Sequence, residues 1–344
     1  MTQRSKRTAL ARAAAILSAL VVTVLAGCSS REFPQTIFEP HSDYARWIQS
    51  LNVQLIFWVT IIFVLVQGML IVAAVRFRAR PGQPDPKPVH GNTVLEIAWT
   101  LAPAVILALV AVPTIQTIFR TQAVMPKDAL KIEVTGHQWW WEFKYPDLGV
   151  VTASEMHVPV NKAVVLELQS ADVIHSFWFP AVGGKRDVVP GHTNRIFFTA
   201  DTTGTFPGQC AEFCGMSHAN MRMKLMVDSP EAFAAWVAHQ KTAAVEPDST
   251  SQAGKGKAIF AGAACIACHT VDGVSAGIIG PNLTHVASRT SIAGSMYPND
   301  AEHLAKWIGD APGRKPGSLM PAMSGLGITA DQIPMIVAYL QSLK

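Results

Sequence analysis

Two stretches of this 344-residue chain, residues 55–75 and 97–119, contain no charged residue. Each is long enough to cross the hydrocarbon core of a bilayer as a helix. A spanning segment must satisfy its backbone polar groups internally, which a helix does, so the pair is read as a transmembrane helix hairpin. The connection between the spans carries Arg76, Arg78, Arg80 and Lys87 against Asp85 and Glu96. That basic excess puts the connection in the cytoplasm and the chain on either side of the hairpin outside. Pro103 and Pro113 fall inside the second span, where neighbouring helices can satisfy the freed carbonyls; they suggest packing against partner helices. With 49% hydrophobic and 15% charged residues, the chain is too apolar for an ordinary soluble protein. A net charge of +4 without a clustered Lys/Arg run argues against nucleic acid as a partner.

The N-terminal residues fit this topology. Arg4, Lys6, Arg7 and Arg12 precede an uncharged run over residues 13–27, which is the layout of an export signal and too short for a secure span. The run ends in Leu25-Ala26-Gly27-Cys28, similar to a bacterial lipoprotein cleavage box. Residues 1–28 are therefore read as a signal peptide that leaves Cys28 as the lipidated first residue of the mature chain. An uncleaved anchor with an incidental cysteine is the alternative.

Beyond residue 120 the long apolar runs give way to short alternating ones: Lys131-Ile132-Glu133-Val134-Thr135, Val165-Leu166-Glu167-Leu168-Gln169, Arg195-Ile196-Phe197-Phe198 and Arg222-Met223-Lys224-Leu225. Period two with intervening turn residues predicts the strands of a small barrel or sandwich over residues 121–241, closed by a helix near 230–240. Residues 242–251, with Glu246-Pro247-Asp248-Ser249, read as a linker. A second unit follows over residues 252–344. It has helices around Gly256 and Phe260, at 300–308, and at 331–343, where Ile333, Ile336, Val337 and Leu340 share one face. So small a unit has little core of its own and gains from a buried cofactor.

The five cysteines are an odd set that a purely disulfide-stapled scaffold would not leave unpaired. Cys210-Ala211-Glu212-Phe213-Cys214-Gly215-Met216-Ser217-His218-Ala219-Asn220-Met221 gathers two thiols, an imidazole and a thioether in one short loop, with His175 in an earlier one. Soft sulfur with imidazole favours copper, and a weak thioether suits electron transfer, whereas zinc has no need of the Met. A Cys210–Cys214 disulfide with His218 on the surface is the competing reading for an exported chain. Cys265-Ile266-Ala267-Cys268-His269 is the attachment signature of a c-type haem, with Cys265 and Cys268 forming thioethers and His269 as an axial iron ligand.

The hairpin, the strand-rich part and the Cys210–Met221 loop together resemble subunit II of bacterial haem-copper cytochrome oxidases. That resemblance implies a cupredoxin-like Greek-key β domain with a binuclear copper centre. Cys210 and Cys214 would bridge both coppers, His175 and His218 would each bind one, Met221 would complete one, and the Glu212 carbonyl the other. The Glu212 side chain would face subunit I and join a magnesium site. In Gly136-His137-Gln138-Trp139-Trp140-Trp141, Trp139 matches the tryptophan through which electrons enter. Three successive Trp in a strand cannot all face the core, so at least one is expected exposed or at an interface. The middle position departs from the family's more familiar Tyr. Glu96 matches an acid near the mouth of a proton channel in subunit I.

From about Gly254 onward the chain resembles class I cytochromes c, all-α domains in which Gly256 and Phe260 would meet Tyr339. Gly280-Pro281-Asn282-Leu283 would support His269, and Met320 would be the sixth iron ligand, with Met323 and Met296 as other candidates. The combined resemblance implies a multi-pass plasma-membrane protein with copper and haem domains on the outer face. It would pass electrons from a donor, such as a cytochrome c or the quinol-cytochrome c reductase complex, through one covalent haem c and two coppers to oxygen-reducing subunit I, with proton translocation. Membrane lipid and the other oxidase subunits would be its partners. A copper carrier or assembly factor and a nitrogen-oxide reductase electron module stand as alternatives.

Overall fold

Long apolar sequence between good caps produces the two helices of the hairpin. α1, Asp43–Arg76, starts at Ser42, whose hydroxyl accepts from the Ala45 amide at 3.0 Å. α2, Thr93–Thr121, starts at Asn92, which caps Val94 and Leu95. Arg76 and Arg120 sit in the last turns, where a cation complements the helix dipole. This computed structural model describes residues 35–79, 81, 82, 88, 90–122 and 127–344, together with 15, 18, 19 and 22. Cys28, Arg80, Asp85 and Lys87 lie outside the described residues.

α1 is longer than the expected span. Its 34 residues reach about 50 Å at the usual helical rise, against a hydrocarbon core of about 30 Å. The extra turns at the start are held by the β domain. Tyr44 and Ala45 are buried, Tyr44 meets Phe197 edge-on at 6.3 Å, and Asp43 accepts from the Thr199 amide at 2.8 Å. His41 donates its amide to Ala181, and the Ser42 hydroxyl donates to Val182. Apolar-run length reports only the lipid-facing part of such a helix.

Ten strands follow: β1 Leu130–His137, β2 Trp140–Tyr145, β3 Val150–Ala153, β4 Glu155–Pro159, β5 Ala163–Ser170, β6 His175–Trp178, β7 Arg186–Val188, β8 Asn194–Thr199, β9 Gly204–Cys210 and β10 Arg222–Asp228. They form two five-stranded sheets, ordered β3-β2-β1-β5-β8 and β4-β10-β9-β6-β7, packed as a cupredoxin-like sandwich. Most neighbours are antiparallel, but β1 runs parallel to β5 and β4 to β10. Alternate residues Ile132, Val134, Trp141, Phe143, Tyr145, Leu166, Leu168, Met223 and Leu225 are buried between the sheets. The four alternating runs in the sequence are β1, β5, β8 and β10. α3, Pro230–Gln240, capped by Ser229, lays Phe233 and Trp236 on this core.

The C-terminal domain is helical: α4 Gln252–Gly262, α5 Cys265–Cys268, α6 Ala301–Gly309 and α7 Ile333–Ser342. α4 crosses α7 so closely that a Cβ on Gly256 would lie 1.9 Å from the Met335 carbonyl oxygen, which is why glycine stands there. Phe260 and Tyr339 meet at 5.6 Å beside the crossing. The helix expected at 331–343 divides into a 3-10 turn, Ala330–Gln332, and α7, which begins next to Pro334 because proline suits a first helical turn. Residues 242–251 form no helix or strand, yet they are held along the helical domain. Ala244 packs on its core, Glu246 pairs with Lys257, and the Thr242 carbonyl is 3.2 Å from His285 Nε2.

Candidate copper and haem sites

The loop after β9 folds back so that five side chains and one carbonyl converge. Cys210 ends β9, and His175 opens β6 beneath it. The two sulfurs are 3.7 Å apart, well beyond a disulfide bond, and both thiols are free. Cys210 Sγ lies 3.9 Å from His175 Nδ1 and 3.2 Å from the Glu212 carbonyl oxygen. Cys214 Sγ lies 3.6 Å from His218 Nδ1 and 3.8 Å from the Met221 sulfur. His175, Cys210 and Cys214 are buried, and their ligand atoms all fall within 4.8 Å of one another. Both imidazoles thus turn Nδ1 toward the thiols. This donor set fits the soft-metal, copper-type chemistry expected from the sequence.

Electrostatics favours thiolate at this cluster. Contact with Cys214 and with His175 lowers Cys210 against the opposing effect of burial, and the same contact together with burial raises Cys214. Burial pulls His175 down, but Cys210 and Asp172 outweigh it and raise the imidazole. Asp172 Oδ1 holds His175 Nε2 at 2.7 Å, fixing the ring with Nδ1 inward, as carboxylates commonly do for metal-binding histidines. Asp172 was not among the expected site residues, although an acid three residues before His175 was the available signal. The Glu212 side chain is exposed beside this loop, its carboxylate accepting from the Phe213 amide at 3.2 Å. Glu96 is exposed in the first turn of α2, at the other end of the molecule's membrane hairpin.

The three tryptophans divide their tasks. Trp139 stands in the turn between β1 and β2, outside either strand, so strand alternation applies only to Trp140 and Trp141. Trp141 is wholly buried against Phe177 and His175. Trp140 stacks on His137 at 4.3 Å. Trp139 Nε1 donates to the Cys214 carbonyl at 2.9 Å, and Gln138 Nε2 donates to the same oxygen at 2.7 Å. Trp139 is only 6% exposed because the helical domain covers it: Gly317 lies so near that a Cβ there would come within 2.4 Å of the indole.

In the helical domain a cavity of about 310 Å³ is lined by Cys265, Cys268, His269, Met320 and, from the β domain, Trp139 and Trp140. Its size lies at the lower end of small-molecule and cofactor pockets. His269 Nδ1 donates to the Pro281 carbonyl at 2.8 Å, which leaves Nε2 without a proton and able to bind iron; burial lowers this imidazole. A Cβ on Gly280 would lie 2.7 Å from the His269 ring, so glycine lets the Gly280-Pro281 loop close on it. Of the three candidate thioethers Met320 lines the cavity, and Met296 and Met323 do not. Arg289, lowered to about 10 by burial, also lines it and was missed from sequence.

Residues 35–117 match the family model described as cytochrome C oxidase subunit II, transmembrane domain. Residues 150–228 match cytochrome C oxidase subunit II, periplasmic domain, and residues 253–344 match cytochrome c. The chain is similar to a cytochrome c oxidase subunit 2 of Alkalihalophilus pseudofirmus, 38% identical over 326 residues that cover 93% of this chain and 94% of that protein. It is 33% identical over 351 residues to the cytochrome c oxidase subunit 2 of Bacillus subtilis, covering 96% and 97% of the two chains. A solved structure, the periplasmic domain of subunit II of cytochrome oxidase of Bradyrhizobium japonicum, is similar at 40% identity with a TM-score of 0.33, covering 34% of this chain and 97% of that one.

Proposed function

Because the chain belongs to the cytochrome c oxidase subunit II family and ends in a cytochrome c domain, we propose that it is the electron-input subunit of a respiratory oxidase. It takes electrons from a donor at the helical domain and passes them through the β domain to oxygen-reducing subunit I, coupled to proton translocation. Bound in their sites, a copper pair and a covalent haem c supply reversible one-electron oxidation and reduction. Cys210, Cys214, His175, His218, Met221 and the Glu212 carbonyl would hold the copper pair. The Glu212 side chain, exposed outside the thiol cluster, is available to a magnesium ion shared with subunit I. Cys265 and Cys268 would hold the haem by thioethers, and His269 and Met320 would bind its iron. Arg289 places a guanidinium in the wall of a mostly apolar cavity, suited to the acidic groups of a porphyrin.

One observation carries this reading. Trp139 forms part of the wall of the haem cavity and also donates to the Cys214 carbonyl. A single turn therefore touches both sites, which makes Trp139 the bridge by which electrons enter the copper loop. Glu96 is the acid at the hairpin's cytoplasmic side available to a proton channel. The division into 1–28, 29–120, 121–241, 242–251 and 252–344 follows, with Cys28 lipidated, the hairpin crossing a bacterial plasma membrane and both redox domains outside. Electron paramagnetic resonance of the purified oxidase tests the proposal. A mixed-valence copper pair beside a low-spin c-type haem is the expected result; a spectrum of one isolated copper would instead indicate a single-ion carrier.

A further inference from the structure

Two ionic side chains cross between the β domain and the helical domain in opposite directions. Lys315, 3% exposed, reaches out of the helical domain and donates from Nζ to the Trp139 carbonyl at 2.6 Å and to Ala293 at 2.7 Å. Glu155, 2% exposed, reaches out of the β domain. Its carboxylate accepts from the Thr290 hydroxyl at 2.6 Å, the Ser291 hydroxyl at 2.6 Å and the Thr290 amide at 3.0 Å. Lys224, also of the β domain, lies 3.8 Å from Glu155 and donates to the Thr290 hydroxyl at 2.7 Å. The short segment 290–294 is thus gripped from both sides. Burying an ion is costly unless its hydrogen-bonding capacity is met, so a lone packing role suits neither residue.

The backbone is fitted to these contacts. Gly294 has φ +72°, and a Cβ there would lie 2.7 Å from Lys315 Nζ and 2.8 Å from the Trp139 carbonyl. The Gly294 carbonyl accepts from the Arg222 amide at 3.1 Å, and the Ser217 hydroxyl donates to the Pro316 carbonyl at 2.7 Å. A lysine entering one domain and a carboxylate entering the other define a single register, since a slide of a few ångström would strand both polar heads.

We infer that Lys315 and Glu155 form a two-point latch, with Lys315 as a positioning residue that seats the helical domain on the Trp139 turn. The inference rests on the electron-input reading for its purpose: the latch keeps the haem cavity closed against Trp139 and denies that indole to outside donors. An external donor must then deliver its electron at the helical domain. The docked arrangement, and not the reach of residues 242–251, sets the distance between the two redox sites.

The test uses the assembled oxidase and its Lys315→Met, Glu155→Gln and doubly substituted forms. Amide hydrogen exchange over residues 137–140 and 290–294 should accelerate by about tenfold in each single variant and further in the double one, because local opening no longer breaks the latch. Haem-to-copper electron transfer after photoreduction should slow in the same order, while the haem and copper spectra stay unchanged. If Lys315→Met disturbs those spectra, Glu155→Gln, whose carboxylate touches neither ligand set, decides the matter. Unchanged exchange in both segments overturns the latch. Absence of haem-to-copper transfer in the unsubstituted oxidase would overturn the electron-input reading instead, and the exchange result would still decide the latch.

Discussion

The β domain and the helical domain hold their sites in opposite ways. Between the sheets Trp141, Tyr145, Phe143, Met156, Leu166 and Leu225 are wholly buried, and the copper-type ligands hang on one end of this filled core. The helical domain is built around a cavity of about 310 Å³, with Phe260, Leu304, Ile308 and Leu340 along its wall. In the first case the ligands hang on a filled interior; in the second a smaller apolar core surrounds the cavity where the proposed haem would sit. Size explains the contrast, since two five-stranded sheets bury a larger interior than a few short helices can.

The largest expected effect breaks that symmetry directly. Cys265→Ser with Cys268→Ser should leave the helical domain's cavity unfilled beside its small core, so residues 252–344 should become protease-sensitive and lose their cooperative melt. His175→Ala removes a proposed copper ligand but leaves the sandwich core intact, at a cost of about 1–3 kcal/mol for the stranded Asp172 and the hole. Limited proteolysis and thermal melting of the two variants make the comparison. Equal resistance of the helical domain in the cysteine variant would show that it does not need haem for its core.

A stop after Val245 comes next in size. All of His175, Cys210, Cys214, His218 and Met221 precede it, so the copper spectrum should survive. Turnover with the native donor should fall, and added soluble cytochrome c at high concentration should partly restore it, because the cut uncovers Trp139. Copper content and oxygen consumption of the truncated assembly are the measurements. Loss of the copper signal would make the β domain dependent on its neighbour. Met320→Ala is smaller in reach: the sulfur-to-iron charge-transfer band should vanish while the thioether-bound haem remains. Persistence of the band there and its loss in Met296→Ala or Met323→Ala would reassign the ligand.

What could be read from sequence follows the same divide between local and distant chemistry. The spans, the alternating strands, the Cys210–Met221 loop and the Cys265–His269 signature each occupy a short window, where periodicity or spacing is visible. The early start of α1 was not legible, because Ser42 and Asp43 are held by Val182 and Thr199, some 140 to 156 residues away. Nor was the placement of Trp139 in a turn, which depends on how β1 and β2 pair. Residues 242–251 have a linker's composition, and only the folded chain reveals Ala244 and Glu246 held along the helical domain. Lys315 and Glu155 carry no sequence signal, because their partners lie in the other domain.

The smallest effect compares surface ion pairs of the two domains. In the β domain Glu167 accepts from Lys131 and Arg195 on neighbouring strands, and its side chain is 16% exposed. Lys131 is the main cause that holds its carboxyl below the ordinary carboxylate range, with Arg195 adding to it against burial. A carboxyl depressed on folding stabilises the protein above its unfolded pKa, and the gain fades as pH falls through the folded value. Glu167→Gln should therefore lower β-domain stability by under about 1 kcal/mol at neutral pH, since its partners are substantially exposed and solvent screens them. The difference from the unsubstituted protein should close as pH drops below the carboxylate range. Glu302 in the helical domain pairs with Lys306 one turn along α6 and is lowered by it, but both side chains are open to solvent. Glu302→Gln should change stability less than Glu167→Gln at any pH. Denaturant unfolding of each variant at neutral and acidic pH reads the two differences. A larger effect at Glu302 would mean that the helical domain depends on surface charge more than its apolar core predicts.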